Sequence, residues 1–133
     1  MEGNNMNYLN FNENEGYITD FYEILFTINF ERLALKHLIN YCDLKGCYVN
    51  DEMVCVFSSE LQTDDEDYFG ENKVAYYFFE PAVKEDKQIV ISYQEFYDIV
   101  YKYYSEYARQ HSEEQDEIMR LLAELKNKLN VKQ

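Results

Sequence analysis

Between Thr63 and Asn72 five carboxylates, Asp64, Asp65, Glu66, Asp67 and Glu71, surround two aromatic residues, Tyr68 and Phe69. Clustered carboxylates can hold calcium. A helix-loop-helix calcium loop needs oxygen ligands at its first, third and fifth positions, glycine at the sixth and glutamate at the twelfth. Counted from Asp64, the fifth position is Tyr68, Gly70 falls at the seventh and the twelfth is Ala75, so the pattern fails. Two readings stay open for the run. It is a solvated charged loop, as most charge runs are, or a contact surface, with aromatic anchors inside a field that steers a basic partner.

Other chemistry-bearing residues do not assemble into a motif. His37 and His111 are the two histidines, and neither has a serine or cysteine at the spacing of a nucleophilic triad. His37, Cys42, Cys47 and Cys55 could supply four zinc ligands. Five residues along a helix do not share one face, however, and no C-x-x-C or H-x-x-x-H unit is present. Cys42 and Cys55 read better as small buried hydrophobes. Four glycines in the whole chain cannot write a phosphate-binding loop or a dinucleotide fingerprint. The expectation is a protein with no catalytic residues, no metal site and no cofactor.

Total charge narrows the partners. The 133 residues carry a formal charge of -14, and residues 51–71 hold eight acids and no base, more than half of that net. An acidic surface repels phosphate backbones and anionic lipid, which argues against nucleic-acid and membrane binding. With 47% apolar residues and 23 aromatic rings, 14 Tyr and 9 Phe, the chain should fold. An odd three cysteines argue against a disulfide framework and for a reducing compartment. The N-terminus lacks the basic and apolar segments of a secretory signal, and no run of about 18 apolar residues could span a bilayer. A cytoplasmic location is expected.

The elements that must carry the acidic run follow from periodicity. Phe21, Ile24, Leu25 and Ile28, then Leu33, Leu35, Leu38, Ile39 and Tyr41, fall at helical spacings, predicting one long or two short helices within 19–45. Met53–Phe57, Val74–Phe79 and Gln88–Ile91 are β-rich runs, the last two joined by a hairpin-sized gap that holds the only proline, Pro81. Ser92 with Glu95, and Ser112 with Gln115, predict two capping boxes opening two amphipathic helices over 93–129. The predicted fold is α+β: N-terminal helices, a three-stranded antiparallel meander over 53–91 with the acidic loop at 58–73, and two C-terminal helices packed on the sheet. One domain is expected over 1–133, with 1–18 irregular.

The segment from Gln88, Gln-Ile-Val-Ile-Ser-Tyr-Gln-Glu-Phe-Tyr-Asp-Ile-Val-Tyr-Lys-Tyr-Tyr, followed by Tyr107, His111-Ser112-Glu113-Glu114 and the ladder from Leu121 to Leu129, resembles the immunity proteins of contact-dependent growth inhibition (CDI). It is most similar to their ribonuclease-toxin immunity group. The likeness runs back through 74–79 and the acidic loop, over about residues 50–129, while 1–50 are alike only in being helical and aromatic-rich.

The resemblance implies a cytoplasmic, non-catalytic bacterial protein that binds one cognate toxin nuclease domain, a ribonuclease, and neutralises it. A ribonuclease must hold a polyanion, so its cleft is basic, and a dense acidic segment can occupy it and speed association. On that reading Asp64, Asp65, Glu66, Asp67 and Glu71 face toxin lysines and arginines, Tyr68 and Phe69 are anchors, and Glu85 and Asp86 extend the surface. A helix face could hold the toxin instead, leaving the loop only to steer. The oligomeric state is open, with a monomer favoured. The alternatives are an acidic regulatory or adaptor domain for another basic protein, and a small metal-binding domain.

Overall fold

The computed structural model describes residues 15–28, 32–81 and 83–132. The expected irregular start at 1–18 lies outside the described residues as far as 14, and from Glu15 the chain is already helical. Two helices form where one or two were expected: α1, Glu15–Ile28, and α2, Leu33–Cys42, with Arg32 in a left-handed conformation (φ 60°) ahead of α2.

The sheet has four strands rather than the predicted three, in the order β1-β2-β3-β4 and antiparallel throughout. The addition is β1, Cys47–Asn50, which precedes β2, Met53–Phe57, β3, Lys73–Phe78, and β4, Lys87–Ser92. β1 is four residues long and irregular between Tyr48 and Asn50, so its alternation is too brief to register as a pattern. It can form because Gly46 lets the backbone approach β2 closely. A Cβ at that position would lie 1.9 Å from the Cys55 carbonyl oxygen.

Register sorts the side chains. Phe57, Val74 and Ile91 align across β2, β3 and β4, as do Cys55, Tyr76 and Ile89, and all six are buried. This inward face meets the helices through aromatic edges. Phe21 of α1 lies 5.2 Å from Tyr76 between ring centroids, and Tyr41 of α2 lies 6.0 Å from Phe57. Phe96 lies 5.2 Å from Phe57, and offset or edge-to-face pairs of this kind add to the area they bury.

Phe96 belongs to α3, Tyr93–Gln110, whose predicted capping box is present. Ser92 Oγ accepts from the Glu95 amide at 3.1 Å and Glu95 Oε1 accepts from the Ser92 amide at 2.9 Å. The second predicted box is absent. Ser112–Glu114 is a 3-10 turn leading into α4, Gln115–Leu129, and neither start carries a side-chain cap. The Glu114 amide donates to the His111 carbonyl instead, so a tighter turn does the work of a cap. All five predicted apolar positions of α4, Ile118, Leu121, Leu122, Leu125 and Leu129, are buried. Of the C-terminal pair, α3 is the helix that packs chiefly on the sheet, against β3 and β4. α4 rests chiefly on α2 and α3, where the Cys42 thiol donates to the Leu121 carbonyl at 3.3 Å. With the helices gathered on one side, Tyr48, Val54, Val56, Tyr77 and Val90 are left on the outward face.

Candidate functional site

The acidic segment hangs between β2 and β3 and is pinned at its base. The amide of Lys73, opening β3, donates to Ser58 Oγ at 3.1 Å, and Ser58 is 2% exposed. Ser58–Glu60 forms a 3-10 turn closed by Glu60 Oε2, which accepts from the amides of Phe57 at 2.7 Å and Gly46 at 3.0 Å. Glu60 is therefore spent on structure. Beyond it Asp65 shapes the loop: its carboxylate accepts from the Gln62 amide at 2.9 Å, its amide donates to the Gln62 carbonyl, and its carbonyl accepts from the Tyr68 amide. Such a side-chain-to-backbone closure is the usual role of aspartate in a turn.

Asp64, Asp65, Glu66, Asp67 and Glu71 are all exposed, while Tyr68 and Phe69 are half-buried. Gly70 takes φ +109°, a conformation other residues rarely adopt, and turns the chain back toward β3. Partial burial raises the hydroxyl pKa of Tyr93 at the start of α3, Ser59 opposes this, and Tyr68 adds a smaller rise.

Glu85 and Asp86 lie in the β3–β4 turn, both exposed. Asp86 Oδ1 accepts from the Glu80 amide at 3.0 Å, which fixes that carboxylate. The structure brings Asp86 together with Asp67: both line one open recess of about 220 Å³, with Tyr77, Phe79, Lys87 and Gln88. Among the other expected contact residues, Asp64, Asp65, Glu66, Tyr68, Phe69, Glu71 and Glu85 are not part of that lining. Tyr77 and Phe79 stack there, their centroids 6.0 Å apart and planes within 6°. Gln88 Nε2 donates to the Tyr77 hydroxyl at 3.0 Å. Partial burial raises the Tyr77 pKa, the Gln88 donation opposes this, and the Asp67 carboxylate raises it further.

Sequence reasoning passed over Tyr77, Phe79 and Gln88. The available signal was the two-residue spacing of Tyr77 and Phe79 in a strand, which puts both rings on one face. Their meeting with Asp67 and Asp86 depends on how two separate connections fold, which no local pattern encodes.

His37 and the three cysteines serve the interior. His37 is 6% exposed with Nε2 3.3 Å from the Tyr48 carbonyl oxygen, and burial lowers its pKa against the opposing effect of that contact. His111 stacks on Tyr107 at 4.0 Å and its Nδ1 lies 2.9 Å from the Tyr107 carbonyl oxygen. Burial pushes the thiol pKa of Cys42 to about 11 and that of Cys47 to about 12, and that of Cys55 well up. Among the described residues no helix is long and apolar enough to cross a membrane.

The described residues thus form a small α+β domain in which carboxylates from two connections meet an aromatic pair at one recess. The chain belongs to the CDI immunity protein family, whose model matches residues 14–122. The match takes in α1 and α2 as well as the region of likeness beginning near residue 50. The family is one of toxin-neutralising proteins, so a cognate toxin is the partner it implies. No curated protein and no solved structure matches the chain.

Proposed function

We propose that this protein binds the basic nuclease domain of its cognate toxin in the cytoplasm, a ribonuclease on the sequence resemblance, and neutralises it by covering its substrate-binding face. The observation that carries this reading is the exposure of five carboxylates, Asp64 to Asp67 and Glu71, on a loop whose base is held by Ser58 and Glu60. A tethered, unpaired negative surface suits a partner that has to hold RNA. It needs little reordering on binding, and its field raises the encounter rate at low salt. Asp86 extends the same surface across the recess it shares with Asp67, and Glu85 lies exposed beside it in the turn.

The test is charge reversal at Asp64, Glu66 and Glu71, which among the described residues make no hydrogen bond comparable to that of Asp65. Association of the triple lysine variant with the toxin domain encoded by the neighbouring reading frame is followed by stopped flow across a salt series. The on-rate should fall at least tenfold at low salt and lose most of its salt dependence. An unchanged on-rate with an unchanged salt slope would show that the acidic loop does not face the toxin.

A further inference from the structure

The recess shared by Asp67 and Asp86 has a more specific chemistry than the loop around it. One wall is aromatic, the stacked pair Tyr77 and Phe79. Tyr77 is held by the Gln88 amide, so that wall is fixed before any ligand arrives. Carboxylates stand on two separate connections, Asp67 before β3 and Asp86 before β4, and the Glu80 amide engages Asp86 through Oδ1. The one basic residue in the lining does not neutralise them. Lys87 pairs with the buried Phe78 on the inward side of the sheet, and its ammonium lies 5.6 Å over the ring of Tyr17. The recess therefore combines a planar aromatic wall with two carboxylates whose nearest strand cation points elsewhere.

We infer that this recess receives an arginine side chain of the partner protein, its guanidinium stacked on Tyr77 and Phe79 and hydrogen-bonded to Asp67 and Asp86. The identity of that partner rests on the toxin-binding reading above, whereas the preference for arginine rests on the recess alone. A guanidinium is planar and weakly hydrated, presents five donors in a fixed fork, and matches a carboxylate beside an aromatic face. A lysine ammonium is a compact, strongly hydrated point charge and uses the aromatic wall less well. The open volume of about 220 Å³ is room enough for one such side chain. Val54, opposite Tyr77 in the register, extends the apolar surface on one side of that aromatic wall. Asp67 thus contributes to holding the complex, whereas Asp64, Glu66 and Glu71 contribute to forming it.

Two measurements test this on the full chain. In the first, the 15N-labelled protein is titrated with Nα-acetyl-arginine methylamide and, separately, with the lysine analogue, to tens of millimolar. Saturable shifts should centre on Phe79, Asp86 and the Gln88 side-chain amide for the arginine probe, be several-fold weaker for lysine, and vanish in D67N/D86N. Equal responses to both probes, or shifts that persist in the double variant, overturn the inference. In the second, the D67N/D86N chain is bound to the toxin domain. Its dissociation should accelerate about tenfold or more with the fold unchanged by circular dichroism, since both positions are exposed and asparagine keeps the acceptor for Glu80. An unchanged dissociation rate overturns the arginine anchor while the toxin-binding reading stands. A wild-type chain that binds no neighbouring toxin domain overturns that reading instead, and the arginine titration still decides the recess.

Discussion

The hydroxyl of Tyr22 on α1 lies 2.6 Å from that of Tyr76 on β3, a hydrogen bond sealed in the core between the first helix and the centre of the sheet. Tyr22 also reaches the Tyr41 hydroxyl at 3.0 Å, and Tyr41 in turn lies 3.5 Å from the Cys47 sulfur. Tyr22 is therefore the shared node of a polar chain inside an aromatic interior. Burial raises the pKa of all three phenols, so each stays neutral and able to donate. Leaving a buried hydroxyl without a good partner costs about 1–3 kcal/mol, whereas trading a satisfied pair for apolar groups costs little.

The node predicts an order of effects. Tyr22→Phe strands two hydroxyls with only thiols to turn to and should lower stability by about 1–3 kcal/mol. Tyr41→Phe leaves the Tyr22–Tyr76 bond intact and should cost less. Guanidinium unfolding midpoints of the two variants check the ranking, and a larger loss for Tyr41→Phe would contradict it.

The cysteines give a second prediction. All three are free and buried, and their thiol pKa values are raised, so the reactive thiolate is scarce near neutrality. A disulfide-exchange reagent should titrate none of them quickly in the native protein and three in guanidinium. One fast equivalent in the native state, read with a chromogenic disulfide, would mean that the packing around that thiol opens readily.

What the sequence disclosed and what it hid divide along physical lines. Patterns repeated over several turns were legible: the apolar ladder of α4, the Ser92–Glu95 box, and the runs that became β2, β3 and β4. Each depends on neighbours within a few residues. β1 was not legible, because four residues give one alternation and the pairing partner, Cys55 opposite Cys47, decides the outcome. The false capping box at Ser112 had the right letters, but His111 and Glu114 close a 3-10 turn with backbone alone. For the candidate site, charge density exposed the loop, while the recess that joins Asp67 to Asp86 depends on sheet register and on two connections meeting.

His37 supplies a pH dependence whose sign follows from its setting. Burial beside Tyr48 lowers its pKa below the ordinary value of about 6.5, so the unfolded chain takes up a proton before the folded one does. Stability from the neutral ring is present above about pH 6.5, falls as pH drops toward the lowered folded value, and levels off below it. Carboxylates titrate nearby, so the informative quantity is the difference between wild type and His37→Gln across pH 5 to 8. That difference should change through this window. A constant difference, or an imidazole NMR titration at the ordinary value, would contradict the assignment.

The base of the acidic loop separates capture from retention. Ser58 Oγ accepts the Lys73 amide in a buried position, so Ser58→Ala leaves that amide unpaired and should lower stability by about 1–2 kcal/mol. Every carboxylate of the loop remains, and long-range steering depends on where charge is rather than on how tightly the loop is held. The on-rate for the toxin domain should therefore stay within about twofold of wild type. Retention is different, because a loop freed at one end must be ordered again in each complex, and that entropy appears in dissociation. Stopped-flow association and dissociation of Ser58→Ala, beside the charge-reversed variant, should show opposite signatures: slower capture for the reversed loop, faster loss for the unpinned one. Equal on-rate losses in both would mean that loop conformation, and not charge alone, sets the encounter.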